Sequence, residues 1–250
     1  GSRVEAGEVV LTAGAIGSPH LLLLSGIGPA DALRDAGVPV RHDLPRVGQG
    51  FSDHPGVYLP FTTDADPPVH PHAPTVQAAL DFDTGADPAG DVELLLFVRP
   101  FLPHTTGHML CGLQHPDSRG VITLASADPR QPPRLEYRYL RTGRDRRRLR
   151  HAVRTAADLL RAGLGTRTDP SGEVLGSDDA LDRWIVANLT TAIHMCGSAA
   201  MGDVVDDQLR VRGIDGLRIA DTSVLPVVPR RGTAATAVAI GEKAADLLRA

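Results

Sequence analysis

The sequence predicts an α/β fold with α+β character, in which part of a doubly wound sheet is interrupted by a domain built on an antiparallel sheet plus helices. Both chain ends carry strand-like runs, at residues 8–14 and 216–221, that finish in small or oxygen-bearing residues. Strands of that kind line the ligand crevice of open α/β sheets. The middle of the chain alternates short strand patterns with Pro-rich turns and continues as two helical patterns. The ends therefore predict one domain and the middle predicts another.

Composition limits the classes of function. The 250 residues are 42% hydrophobic, which is enough for a core, and they carry a formal net charge of −4. The basic run at 144–150 lies in a helical pattern without interleaved aromatic residues, so it predicts a solvated helix face and no nucleic-acid binding. No apolar run approaches the roughly 20 residues needed to cross a bilayer, so no membrane span is expected.

The cysteines and histidines argue against a metal site. Cys111 and Cys196 are far apart and lack the spacing of metal ligands. Free cysteines favour a reducing compartment, so a cytoplasmic location is expected. His70 and His72 form a His-Pro-His loop without carboxylate or cysteine company, and no metal is expected there.

The first part of the chain predicts a buried strand followed by short helices. Residues 8–14 are mostly apolar and β-branched, but no partner strand is recognisable for them. Ser18 is expected to cap a helix that carries Pro19 in its first turn. A second helix, closed by a glycine, is expected at 30–37, and a strand is expected at 57–61.

The middle predicts an antiparallel meander followed by two helices. Its strand patterns are separated by Pro- and Asp-rich breakers and lie at 92–98, 108–114, 120–126 and 134–139. The first helical pattern, 143–164, places its apolar residues on one face, and the second, 177–189, begins with an Asp-rich turn. The second helix leads directly to His194.

The C-terminal segment opens with a histidine in a turn of small residues. His194 is followed by Met-Cys-Gly-Ser-Ala-Ala-Met-Gly, so little side-chain bulk would keep a flat ring from the backbone. A histidine in such a place suits proton transfer near neutral pH. The next strand ends at Asp221 and Thr222. Beyond it, Thr233 or Thr236 could cap a closing helix whose first N–H groups suit a negatively charged ligand.

Several stretches carry a family resemblance. In the C-terminal part they are the nonamer at 194–202, Gly-Leu-Arg-Ile-Ala-Asp-Thr-Ser-Val-Leu-Pro at 216–226 and Ile-Gly-Glu-Lys at 240–243. Together they resemble the C-terminal part of the glucose-methanol-choline (GMC) family of FAD-dependent oxidoreductases. Residues 14–28 fit that family's second signature at every constrained position, and 47–55 look like its next turn.

The resemblance implies FAD as the cofactor and a discontinuous cofactor domain. Residues 1–52 and 194–250 would belong to a partial FAD-binding, Rossmann-like domain, and residues 53–193 would form the substrate-binding cap. The family's Gly-x-Gly-x-x-Gly fingerprint belongs to an N-terminal half that does not occur in this sequence. The chain is therefore expected to be a fragment whose partner is the missing half of the same enzyme.

The resemblance also implies a reaction and the residues that perform it. An alcohol would be oxidised at its CH–OH group by hydride transfer to flavin N5, with His194 as the base. The expected cofactor-binding residues are Gly14, Ala15, Asp221, Thr222, Thr233 and Ala234. The family's second histidine or asparagine aligns with Ala234, which cannot hydrogen-bond a substrate oxygen. The loop at 229–236 is weakly similar to the mycofactocin-associated branch, which implies a peptide-derived redox carrier.

Other interpretations stay open from the sequence. Asp221 is either a flavin-domain contact or a strand-end cap, and Asp53-His54 either contributes to the site or joins two domains. A non-catalytic fragment or remnant that is unable to bind FAD alone is supported by Ala234 and by the absent fingerprint. A hydrolase using a serine, His194 and an aspartate is weakened because no Gly-x-Ser-x-Gly elbow occurs.

Overall fold

The computed structural model describes residues 4–64, 70, 72–85, 90–98, 105–164 and 167–249. The strands are β1 (Val9–Leu11), β2 (Ile27–Gly28), β3 (His42–Asp43), β4 (Gln49–Phe51), β5 (Pro55–Thr62), β6 (Val76–Phe82), β7 (Val92–Phe97), β8 (Gly107–Leu113), β9 (Gly120–Thr123), β10 (Arg134–Glu136), β11 (Arg167–Thr168), β12 (Leu189–Thr191) and β13 (Leu217–Ile219). The helices are α1 (Gly14–Leu24), α2 (Ala30–Asp35), α3 (Gly143–Leu164), α4 (Gly172–Leu175), α5 (Asp178–Asn188) and α6 (Ala234–Arg249). A 3-10 turn, Thr222–Val224, follows β13. The predicted mixture of α/β structure and antiparallel sheet is confirmed.

The chain divides into two compact units. Unit 1 comprises Gly1–Asp53, Ser118–Tyr139 and Ile193–Ala250, and unit 2 comprises His54–Asp117 and Leu140–Ala192. The expected boundaries, 1–52, 53–193 and 194–250, differ from this division mainly in the segment 118–139, which belongs to unit 1. The reason is that β9 pairs antiparallel with both β10 and β4. The expected meander is consequently split between two sheets.

In unit 1, β1 pairs in parallel with β13, with Val9 opposite Leu217 and Leu11 opposite Ile219. This pairing supplies the partner that the sequence did not reveal. The strand was expected to be buried, but Val9 is 48% exposed, because β13 is the only strand that pairs with β1 in the described part of the chain. The core of the unit lies beneath these strands and includes the buried side chains of Leu22, Leu33, Val47, Val204 and Ile219.

Helix α1 begins earlier than predicted. Its first residue is Gly14, with a φ of +79° that favours glycine, so Pro19 lies inside the helix and not in its first turn. The expectation that Ser18 caps this helix at its start is wrong in position. Ser18 lies within the helix, but its hydroxyl still accepts a hydrogen bond from the N–H of Ala13, at 3.1 Å.

Unit 2 is a sheet with one long helix against it. The strands follow the order β11-β5-β8-β7-β6, and β12 also pairs with β5. Helix α3 occupies the predicted residues and packs against β5, β7 and β8. Leu149, Val153 and Leu160 are buried on its inner face. Helix α5 begins as predicted, because the Ser177 side chain accepts a hydrogen bond from the N–H of Ala180.

The basic run of α3 is not a uniformly solvated face. Arg148 is only 2% exposed, and its guanidinium lies 2.5 Å from Asp145 and 3.4 Å from Asp91, both fully buried. Arg144 and Arg150 pair with acidic side chains nearer the surface. The prediction was wrong at Arg148 because the sequence shows that α3 carries charges but not that Asp91, on a distant segment, lies opposite one of them.

Two kinds of feature are absent from the described residues. No helix among them is long and apolar enough to cross a membrane. Nor do three histidine, cysteine, aspartate or glutamate side chains gather there in a way that could hold a metal ion. Within the loop that contains His70 and His72, the N–H of His72 donates to Nδ1 of His70, at 3.2 Å.

Replacing Arg148 with leucine is expected to destabilise unit 2 by about 3–5 kcal/mol, because the carboxylates of Asp91 and Asp145 would stay buried without a cation. Equilibrium urea unfolding measures the change. The control is Arg147→Leu, the exposed residue before it, which should change stability by less than about 0.5 kcal/mol. Equal losses in the two variants would contradict a structural role for the buried pair.

Candidate functional site

The carboxylate of Asp221 joins the end of β13 to the start of α1. Its Oδ2 accepts hydrogen bonds from the N–H of Gly14, at 3.0 Å, and from the hydroxyl of Ser18, at 2.5 Å. Its Oδ1 accepts from the N–H of Ser223, at 2.8 Å, which caps the 3-10 turn. Of the two interpretations left open, the strand-end cap is present. Both oxygens are engaged within the protein, and the predicted residues Gly14, Asp221 and Thr222 are brought together.

The turn that follows His194 rests on this 3-10 turn. The N–H groups of alternate residues donate to three successive carbonyls, Gly197 to Thr222 at 3.4 Å, Ala199 to Ser223 at 2.9 Å and Met201 to Val224 at 2.8 Å. Such a ladder requires the two backbones to lie close together. Small residues at 197–200 permit that approach. Their smallness was expected to leave room for a flat ring, but residues 196–199 are buried against the protein itself.

A second contact fastens the turn to α1. Proline has no N–H, so Pro19 leaves the carbonyl of Ala15, four residues earlier, without its usual helical donor. The hydroxyl of Ser198 donates to that carbonyl at 2.5 Å. Both Ser198 and Ala15 are buried. The proline inside α1 thus creates an acceptor for the turn after His194.

His194, the residue before this turn, is held by Asp53. The Oδ1 atom of Asp53 accepts a hydrogen bond from the N–H of His194 at 2.8 Å, and its Oδ2 atom accepts one from the hydroxyl of Tyr139 at 2.5 Å. Next to it, Ser52 and Cys196 exchange two backbone hydrogen bonds, each of 2.9 Å. Asp53 is 2% exposed. These contacts fix the backbone at His194 and at Cys196.

The imidazole of His194 has Gly232 beside it. A methyl group placed on Gly232 would lie 3.0 Å from Nε2 and 3.5 Å from Cε1 of the ring. Helix α6 starts two residues later at Ala234, and the N–H of Ala237 donates to the carbonyl of Thr233. Ala234 and Ala235 are exposed. The start of α6 therefore carries no bulky side chain at these positions and lies close in sequence to the glycine that touches the histidine.

Comparison with known proteins identifies the family. Two family models described as GMC oxidoreductase match the chain, the N-terminal one at residues 2–56 and the C-terminal one at residues 116–241. The chain belongs to the GMC oxidoreductase family. The predicted resemblance is confirmed, and the GMC oxidoreductases are FAD-binding flavoproteins.

Two curated relatives show how much of the GMC fold is present. An uncharacterised GMC-type oxidoreductase of Rhodococcus erythropolis is 38% identical over 98% of this chain and 50% of its own length. An oxygen-dependent choline dehydrogenase of Photobacterium profundum is 32% identical over 96% of this chain and 50% of its own length. The chain spans about half the length of these relatives.

Solved structures give the same picture. A variant of the formate oxidase of Aspergillus oryzae superposes with a TM-score of 0.85 at 27% identity, covering 97% of this chain and 54% of that one. A fungal aryl-alcohol oxidase superposes with a TM-score of 0.83 at 29% identity, covering 97% of this chain and 54% of that one. The fold of this chain is therefore shared by GMC enzymes with different substrates.

Unit 1 has two features that fit FAD, the cofactor of the GMC family. They are the free N–H groups expected at the start of α6 and the small side chains near His194. The first N–H groups of a helix such as α6 have no partner within the helix and form a positive end. The side chains exposed there, at Ala234 and Ala235, are methyl groups, and Gly232 adds none beside His194. Asp221 offers no such free group, because its carboxylate is already hydrogen-bonded to Gly14, Ser18 and Ser223.

Two residues of this candidate site were not predicted from the sequence. Tyr139 was assigned to a strand and given no role, and Gly232 was regarded only as part of a loop. Neither role can be recognised from neighbouring residues, because Tyr139 contacts Asp53 and Gly232 contacts His194, and both partners are remote in sequence. Asp53 itself was noticed, since Asp-His-Pro ends the family-like turn at 47–55.

Proposed function

We propose that this chain carries the base-bearing part of a flavin-dependent oxidoreductase that oxidises the CH–OH group of a small-molecule alcohol. His194 is the proposed base. The observation that carries the proposal is the placement of this histidine, whose backbone is bonded to Asp53 and whose following turn is bonded to the 3-10 turn after β13. A base held this way needs little reorganisation before it accepts a proton.

The residues that would hold FAD divide into two groups. Thr222, Thr233 and Ala234 lie at the 3-10 turn and at the start of α6, where backbone groups could contact the cofactor. Gly14, Ala15 and Asp221 are bonded within the protein, so in this proposal they shape the site from behind. FAD, when bound, would supply the two-electron acceptor by taking a hydride at N5.

An alcohol donor is proposed from chemistry and from two of the matched proteins. The names of the relatives include a choline dehydrogenase and an aryl-alcohol oxidase, and both substrates carry a hydroxyl group. A formate oxidase also matches, and formate is not an alcohol, so family membership alone does not fix the donor. A histidine base favours the alcohol, because a hydroxyl proton must leave as the carbon is oxidised.

His194 would perform the proton step at Nε2, the ring nitrogen that faces Gly232. The neutral imidazole has a ring nitrogen that can accept a proton, as a general base must. Ala234 cannot hydrogen-bond the substrate oxygen, so in this proposal the histidine both orients the hydroxyl and accepts its proton. The same alanine is the feature that favours the second candidate, a protein of the family that no longer catalyses oxidation.

The cysteines support a proposed location in a reducing compartment such as the cytoplasm. Cys111 and Cys196 are buried free thiols. Burial raises the pKa of both thiols, that of Cys196 to about 12. Because of the raised pKa both thiols stay neutral, and neither is suited to metal binding or nucleophilic attack, which require the thiolate.

Replacing His194 with asparagine is expected to lower kcat/KM by about 10²–10⁴-fold while FAD content stays the same. Steady-state alcohol oxidation with an artificial electron acceptor measures the first quantity, and the flavin absorbance of the purified enzyme measures the second. His151→Asn, an exposed histidine on α3, is the control and should retain activity. A His194→Asn enzyme of full activity would rule out the proposed base. A wild-type enzyme that binds FAD but oxidises no alcohol would favour the non-catalytic candidate.

Replacing Gly232 with alanine is expected to lower kcat/KM by about tenfold, because the added methyl group would lie 3.0 Å from His194 Nε2 and displace the ring. The matched control is Gly241→Ala in α6, where nothing lies within 4 Å of the same position. That variant should keep its activity. Equal activities of the two variants would show that the space beside Nε2 is not used in the reaction.

We further propose that unit 1 is completed by polypeptide that carries the glycine fingerprint of the GMC family. A two-stranded parallel sheet is small, and parallel sheets are normally covered on both faces. Unit 1 exposes apolar side chains on β1 and α6, with Val9 48%, Val238 65% and Leu248 46% exposed. The relatives, about twice as long, support the presence of such a partner.

The partner proposal predicts that FAD is retained when this chain is coexpressed with the complementary half of a GMC enzyme, and lost when it is expressed alone. Val238→Glu should reduce copurification of the two polypeptides by at least tenfold, since a carboxylate would be buried in the interface. Val186→Glu is the control, because Val186 is 64% exposed on α5 in unit 2. Tight FAD binding by this chain alone would contradict the proposal.

A further inference from the structure

We propose that Asp53 is a positioning residue, which holds Ile193 in a left-handed backbone conformation and so sets the direction of the His194 imidazole. The inference depends on the proposed role of His194 as the base. Asp53 does not belong among the groups that would touch substrate. It acts on the peptide N–H of His194, through a hydrogen bond of 2.8 Å.

Ile193 has a backbone that its residue type disfavours. Its φ is +63°, in the left-handed region where a β-branched residue is a genuine outlier. The side chain is 71% exposed, so burial contributes little to holding it there. The peptide group that follows Ile193 is the one whose N–H is bonded to the buried Asp53 carboxylate. That bond is therefore placed to keep the unfavourable conformation.

A second partner of the Asp53 carboxylate also lies next to residues with unfavourable backbone conformations. This partner, the hydroxyl of Tyr139, lies 2.5 Å from Oδ2. Tyr139 is flanked in sequence by Arg138 and Leu140, with φ values of +52° and +56°. Three of the four non-glycine residues with positive φ in the described chain thus adjoin a partner of Asp53. Unfavourable conformations persist where surrounding contacts determine them, and they gather at functional sites.

The direction of the imidazole follows from this arrangement. The turn after His194 is fixed by its backbone hydrogen bonds to the 3-10 turn. The backbones of Ser52 and Cys196 also exchange two hydrogen bonds, one in each direction. The backbone dihedral angles of Ile193 then determine the orientation of the His194 peptide at the start of this turn. If Ile193 relaxed to negative φ, the His194 peptide would rotate and the orientation of the ring relative to Gly232 would change.

The test is a rescue experiment on the flavin-loaded enzyme that contains this chain. Asp53→Ala should lower kcat by about 10–100-fold with a smaller change in KM, because the base is misplaced while the binding groups remain. Adding Ile193→Gly should recover at least about tenfold, since glycine adopts positive φ without penalty. Ile193→Ala in the same background is the matched control and should recover less than about twofold, because its Cβ still disfavours the left-handed region.

A second readout does not need turnover. Hydrogen exchange of the His194 amide, followed by NMR, should be at least tenfold faster in Asp53→Ala than in wild type, and adding Ile193→Gly should restore much of the protection. Tyr139→Phe gives a milder version if Asp53→Ala folds poorly. It should lower kcat by about 3–10-fold, and Ile193→Gly should again rescue it.

The outcomes separate this inference from the proposed function. Unchanged His194 protection in Asp53→Ala, or no rescue by glycine beyond that of alanine, would overturn the positioning role even if His194→Asn were inactive. An enzyme that oxidises no alcohol, yet shows the expected exchange pattern, would overturn the proposed function and leave the positioning role supported.

Discussion

The carboxylate of Asp221 is the interaction on which the rest of unit 1 depends, because it connects segments from the two ends of the chain. A charged group that is 9% exposed needs several donors to offset its lost hydration. Asp221 obtains them from Gly14, Ser18 and Ser223. These donors fix the start of α1 and the 3-10 turn relative to each other and align them with the pairing of β1 and β13. The turn after His194 is hydrogen-bonded to that 3-10 turn. The position of the proposed base therefore depends on Asp221.

Two of the stretches that carry the family resemblance contact each other directly. The signature at 14–28 contains Ser18 and Pro19, and the nonamer at 194–202 contains Ser198. Ser18 donates to Asp221, whereas Pro19 leaves the carbonyl of Ala15 available to the Ser198 hydroxyl. Pro19 in the first segment and Ser198 in the second are therefore explained by each other, whereas Ser18 is explained by Asp221, which lies in the stretch 216–226. A net hydrogen bond of this kind contributes about 1 kcal/mol, and a buried group left without its partner costs about 1–3 kcal/mol.

The sequence predicted those parts of the fold that depend on local pattern. Helix α3 occupies residues 143–164 as expected, because its apolar spacing is a property of the segment itself, and the Ser177 cap of α5 has the same local origin. The partner of β1, the burial of Arg148 and the membership of 118–139 in unit 1 each depend on contacts between distant segments. His194 was predicted from its surroundings in sequence and from the family resemblance. Asp53 was left open as a contributor to the site, but its bond to the His194 N–H and the contacts of Tyr139 and Gly232 could not be predicted, because no sequence spacing links these residues to their partners.

The alanine at 234 changes what the remaining residues must provide. With a second hydrogen-bonding side chain, a substrate hydroxyl would be held from two sides, and a small error in the direction of one group would matter less. With methyl at that position, the direction of the hydroxyl would depend on one imidazole, and the reaction would tolerate less displacement of that ring. The His194 backbone is accordingly restrained through Asp53 before the histidine and through the 3-10 turn after it. An unfavourable conformation at Ile193, of order 1–3 kcal/mol, is then offset by part-buried hydrogen bonds that also fix the proposed base.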